Sequence, residues 1–143
     1  MRTGTDAARC GQVLLAESLY LEALALASNL LYPETACDEP ADDRVAAFVV
    51  THLNLADLHA QEQHTATAAA YLCTAHRALM SLLGGAGIDP SLQRAALRHS
   101  RETHAALLEH LELHGDAEAV LAALRAGCMP FITCPPRRGT TLH

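Results

Sequence analysis

The chain has 143 residues, half of them hydrophobic, with aromatics at 3%, no tryptophan and a formal net charge of −6. That length suits a single domain with its own core, and the scarcity of Val, Ile, Tyr and Phe excludes a many-stranded sheet in favour of helices packed through Ala and Leu. The acidic balance excludes a general nucleic-acid binder, which would carry a basic face.

Every basic side chain other than histidine is arginine, the habit of a GC-rich genome. The lack of lysine removes Schiff-base and phosphate-loop chemistry. Nine histidines allow the net charge to turn positive once pH falls below about 6.5. The five cysteines are odd in number and scattered, and MRTGTDAARC contains no apolar leader, so a reduced cytoplasm is the expected compartment. The apolar run from Val13 to Tyr32 contains Glu17 and Glu22, each costing about 2.5–3.5 kcal/mol near a bilayer centre. It reads as a buried or interfacial helix of a soluble chain.

In chain order, the first helix starts at Thr5 or Asp6, whose side chains can accept from exposed amides, and ends before Pro33. Cys10, Val13, Leu14, Leu21, Leu24, Ala27, Ser28 and Leu31 recur at the spacing of one face. No breaker interrupts the stretch, so one long helix is expected, with a bend near Glu17-Ser18 as the alternative. Glu34 to Asp43 form an acidic loop, and Asp42 or Asp43 is expected to cap the second helix. Its inner face carries Val45, Phe48, Val49, His52, Leu55, Ala56 and His59. After the polar knot of residues 61–64, Thr65 is expected to cap a third helix striped by Ala68, Tyr71, Leu72, Ala75, Leu79 and Leu82. The glycines at 84, 85 and 87 stop it. Asp89-Pro90 is a cap followed by a first-turn proline, and opens a fourth helix reaching His114. Gly115-Asp116 precede a short fifth helix over 117–126, closed by Gly127. Residues 128–143 are expected to form an irregular tail, docked through Met129, Phe131 and Ile132.

Few constellations carry chemistry. His110 and His114, four apart on a helix, are half of a transition-metal site that Glu109, His104 or a tail cysteine would have to complete. His52 and His59 share the inner face of the central hairpin, with His76 and Cys73 expected to approach from the partner helix. They read as packed, locally bonded histidines, or as the pocket of a bundle enzyme. Cys128 and Cys134 lack the second half of a zinc site. Arg94, Arg98 and Arg101 form a basic stripe on the fourth helix. No nucleophile elbow, dinucleotide fingerprint, phosphate-cradling loop or Glu-x-x-His signature occurs, so neither a reaction nor a cofactor is indicated.

The central hairpin, residues 45–83, resembles a tetratricopeptide repeat. Ala56 sits at the small position of the first helix, after Leu55, with His59 at the usual aromatic position. Ala68 and Ala75 fall on the two small positions of the second helix. The same frame laid on Gly11 places Tyr20 and Ala23, and a partial copy is centred on Gly115. The anchors Gly11, Ala56 and Leu108 are spaced more widely than the family period of about 34 residues.

The resemblance implies antiparallel helical hairpins and a concave binding surface over Gln12, Leu15, Val50, Leu53, Asp57, Glu102, Glu109 and Glu112. The family's clamp for a terminal carboxylate uses Lys and Asn; Leu53 stands at a clamp position here, and the chain has no lysine. A cationic or amphipathic segment suits this surface better. The expectation is therefore an all-α domain of about five helices in tetratricopeptide-like hairpins, the other candidate being an up-and-down four-helix bundle. Its function would be non-catalytic binding of a protein or peptide, without nucleic acid or membrane. The competing function is a small His/Cys-rich metal binder using His110 and His114. An Ala/Leu face is compatible with a homodimer.

Overall fold

The structure, a computed structural model, describes residues 4–33, 35–115 and 118–132. It is all-α: α1 (Gly4–Leu31), α2 (Ala41–Gln61), α3 (Thr65–Gly84), α4 (Pro90–His114) and α5 (Glu118–Ile132), with no strand among the described residues. Successive long helices pair as antiparallel hairpins. α2, α3 and α4 pack against one another, α5 lies mainly on α3, and α1 contacts α2 and, among the described residues, no other helix. Because α1 does not reach α4, the four long helices do not close into an up-and-down bundle.

One core half joins Val45, Phe48 and Val49 of α2 to Ala75, Leu79 and Leu82 of α3 and to Leu92, Ala95 and Ala96 of α4, with Ala27 and Leu31 of α1 at its edge. The other joins Ala56, Ala68, Ala69, Leu72 and Cys73 to Leu107, Val120 and Ala123. Each buried leucine contributes about 1.5–3 kcal/mol by leaving water, while the alanines let helix axes approach closely. Ala56, Ala68 and Ala75 are all buried at these contacts.

Two helix starts differ from the sequence expectation. α2 begins at Ala41 behind Pro40, with no side-chain cap; Asp42 and Asp43 lie inside its first turn, where their charge favours the exposed amides. α3 begins at Thr65 after His64, again without a side-chain cap, so Thr65 is the first helical residue. Gln63, at φ 64, takes the left-handed turn between the two helices. The α4 start is as expected: Asp89 accepts from the Ser91 amide at 2.9 Å, with Pro90 in the first turn. At the end of α3, a Cβ on Gly85 would lie 2.8 Å from Ile88 Cγ1, so a close approach, rather than a left-handed backbone, requires glycine there.

α5 runs to Ile132 and not to Ala126, so residues 128–132 are helical rather than irregular. Glycine costs a helix only about 1 kcal/mol, and a proline in the final turn forfeits a single backbone bond. Residues 133–143, including Cys134, lie outside the described residues, as do the Asp116 cap and the docking of the tail side chains.

α1 is continuous, as expected, but packs through a different face. Val13, Leu24, Ala27 and Leu31 turn inwards, whereas Cys10, Leu14 and Leu21 are exposed. A helix apolar all round has no preferred face of its own, and polar ties decide the choice. Arg44 of α2 donates from Nε to the Leu30 carbonyl at 2.6 Å and from Nη2 to the Leu31 carbonyl at 3.2 Å, covering the free C-terminal carbonyls of α1. At the other end Arg9 pairs with Glu62 at 3.0 Å, and Glu17 lies 3.3 Å from His59. By length and composition, α1 could also cross a membrane.

Candidate functional site

α2 and α4 run parallel. Asp42, at the start of α2, meets Arg98 at 2.7 Å and His99 at 3.2 Å, while the later turns of both helices flank one groove of about 210 Å³. Its floor is Ala56, Ala60, Ala68, Leu72 and Ala106; Leu53, Asp57, Glu109, His110, Leu113 and His114 form its walls. The small floor residues open the groove, since a longer side chain at any of them would fill it.

Three of the expected surface residues, Leu53, Asp57 and Glu109, converge here. The others do not. Val50 is exposed one turn before Leu53 but outside the groove. Glu102 lies further up α4, its carboxylate 3.1 Å from His99 Nδ1, and Glu112 is exposed outside the lining. Leu15 and Gln12 are exposed on α1, which packs on α2 alone and contributes nothing to the groove. A surface spanning three hairpins is thus replaced by a compact groove between α2 and α4.

His110 and His114 sit at one end of this groove with ring centroids 4.6 Å apart. Only His114 is solvated; His110 is buried. Burial, and then the neighbouring His114, hold the His110 imidazole below the ordinary histidine value. Glu109 lines the same groove, but His104 points elsewhere, its ring 6.0 Å from His76. Among the described residues no three His, Cys, Asp or Glu side chains gather as a metal would require. The side chain of Cys128, like Cys134, falls outside the description.

The histidines of the central hairpin both turn inwards. His52 is buried, donates from Nδ1 to the Phe48 carbonyl at 2.7 Å and packs beside the Phe48 ring at 4.2 Å. Burial pushes its pKa down, outweighing that bond. His59 stacks on Tyr71 at 5.6 Å, and Tyr71 also meets His52 edge-on at 6.3 Å. Tyr71 therefore fills the place expected of His76.

His76 instead faces α4. Its Nδ1 lies 2.8 Å from Thr103 Oγ1, and that hydroxyl donates to the Ser100 carbonyl at 3.0 Å. Thr103 holds the Ser100 carbonyl and the imidazole at once only by accepting from an Nδ1–H tautomer of His76. Its Nε2 is buried without a partner. Burial first, then His104, keep His76 below the usual histidine range. Cys73 also turns away from the pair, towards the Ala119 carbonyl at 3.5 Å. His52 and His76 are thus neutral packing groups, each committed at one nitrogen.

A second recess, about 290 Å³, lies between α1 and the end of α2. Cys10, Glu17, His59, Glu62 and His64 line it, and His59 and His64 approach Nδ1 to Nδ1 at 3.5 Å. Sequence reasoning missed it because Cys10 and His59 belong to different helices, and only the chosen face of α1 brings them together. The Asp42, Arg98, His99 and Glu102 knot was missed for the same reason. Arg98 was legible only as part of a stripe, and its exposed ion pair contributes about 0.2–1 kcal/mol.

No curated protein and no solved structure matches the chain. A family model described as a protein of unknown function (DUF2753) matches residues 1–137. With nearly its whole length covered, the chain belongs to the DUF2753 family of proteins of unknown function.

Proposed function

We propose that this chain is a non-catalytic, helical-hairpin protein that binds a cationic or amphipathic protein segment in the groove between α2 and α4. The observation carrying this reading is the convergence of Leu53 and Leu113 with Asp57 and Glu109 over a floor of alanines. Apolar walls supply burial, and two exposed carboxylates select positive charge. Leu113 is 69% exposed, which leaves an apolar side chain for an incoming helix to cover. The tetratricopeptide likeness supports the same reading through Ala56, Ala68 and Ala75, which hold the hairpin close.

The test is fluorescence anisotropy with a labelled amphipathic Leu/Arg peptide and a Leu/Glu peptide of the same length. Wild type should bind the first and not the second, and the reversed rim D57K/E109K should lose the first. Equal binding of both peptides, or binding by wild type and variant alike, would refute the groove.

A second reading, metal binding, is favoured by one observation: the His110 and His114 rings lie side by side at the groove's end, next to Glu109. Zinc titration followed calorimetrically, with H110A/H114A as control, tests it. Stoichiometric binding that the double substitution removes would establish it, and no heat of binding would end it.

A further inference from the structure

We propose that the outer face of α1 docks a second copy of this chain, pairing two α1 helices antiparallel. On that face Leu14, Leu15, Leu19, Leu21 and Leu26 are 66%, 62%, 56%, 43% and 67% exposed. They offer water on the order of 500 Å² of apolar side chain, at the upper end of what a monomer leaves uncovered. Among the described residues no other helix lies over them, because α1 touches only α2.

The sequence of α1 suits itself. At 100° per residue, Leu14 and Leu21 form one flank of the outer face and Leu15, Leu19 and Leu26 the other. Along the first flank runs a shallow groove lined by Leu14, Glu17, Ser18, Leu21, Glu22 and Ala25. An antiparallel two-fold axis brings each flank against the same flank of its mate. With that axis beside residue 19, Leu14 packs beside the partner's Leu21, Leu15 beside the partner's Leu26, and Leu19 against its own mate. The Ser18 hydroxyl then reaches the partner's Glu22, so the one carboxylate central to the face gains a donor. The two leucine sets together supply about 1,000 Å², where specific interfaces begin, before any neighbouring atom is counted.

A lipid surface fits less well. In-plane membrane helices carry Lys and Arg beside the apolar face, whereas α1 carries Asp6, Glu17 and Glu22 against Arg9 alone, and Arg9 is paired with Glu62. Full insertion would strip Arg44 from the α1 carbonyls and break the Arg9 tie to α2.

Light scattering after size exclusion of the full chain, with L19E/L26E and the milder L15Q, tests the pairing. Wild type should have the mass of two 15.2 kDa chains at tens of micromolar. L19E/L26E should be monomeric, with association weakened at least ~100-fold and helical circular dichroism unchanged, and L15Q should shift the same way. A wild-type monomer overturns the proposal. So does a dimer that survives L19E/L26E but is split by L113E, which would place the interface in the α2–α4 groove. A monomer that co-sediments with phosphatidylcholine vesicles also overturns it, in favour of a lipid surface.

Discussion

The contact between His76 and Thr103 makes an asymmetric prediction. Thr103→Val keeps the shape and burial of the side chain but removes the oxygen that accepts from His76 Nδ1–H. That imidazole is 3% exposed, and its Nε2 already lacks a partner, so changing tautomer moves the unmet N–H without satisfying it. The cost is that of one orphaned buried donor, about 1–3 kcal/mol. His76→Leu cuts the same bond from the other side. There the Thr103 hydroxyl keeps its 3.0 Å bond to the Ser100 carbonyl, and the orphaned Nε2 disappears with the ring. A swap of similar volume then costs under about 1.5 kcal/mol and can even stabilise. Urea unfolding at pH 7.5 followed by circular dichroism measures both, and H76L/T103V closes the cycle. The double variant should sit near H76L, because T103V does no harm once the imidazole is gone. The reasoning fails if H76L is the more damaging single change, or if T103V is neutral.

Three further outcomes follow from other parts of the molecule. His52, His76 and His110 all have folded pKa values below the ordinary 6.5. The unfolded chain therefore takes up protons first as pH falls through about 6.5, and folding stability is level above that value and lost below it. Each histidine contributes a slope of up to about 1.4 kcal/mol per pH unit until its folded form also protonates; urea midpoints from pH 7.5 to 5 should decline accordingly, and a flat profile would contradict the burial of these rings. Leu107→Ala, at a fully buried site shared by α3, α4 and α5, should cost about 2–5 kcal/mol in thermal or urea unfolding. Arg44→Met should leave the Leu30 and Leu31 carbonyls unpaired, with a loss of about 1.5–3 kcal/mol, and should release α1 first. Hydrogen exchange would show this as faster exchange in α1 than in α3, and uniform acceleration would argue against local release.

Much of the fold is legible in the sequence because its signals are local. Asp89-Pro90 opens α4, Pro33 follows the end of α1, and the period of Val45, Phe48, Val49, His52, Leu55 and Ala56 marks the buried face of α2. The candidate site is only partly legible. Leu53, Asp57 and Glu109 can be placed on helix faces from spacing alone, yet their meeting depends on α2 and α4 lying parallel, which no local pattern encodes. Tyr71 takes the place expected of His76 because the rotation of α3 against α2 decides which ring faces His52.

The sequence alone therefore determined an all-helical chain, its helix spans to within a turn except at α5, and the alanines where helices touch. These follow from propensity, capping and periodicity, which act over a few residues. Tertiary structure alone decided which face of α1 turns inwards, which histidines become buried and neutral, and which carboxylates share a groove. Those outcomes rest on Arg44 reaching Leu30 and Leu31, Asp42 reaching His99 and His76 reaching Thr103. Such contacts join residues far apart in the chain, and their geometry exists only once the helices have packed.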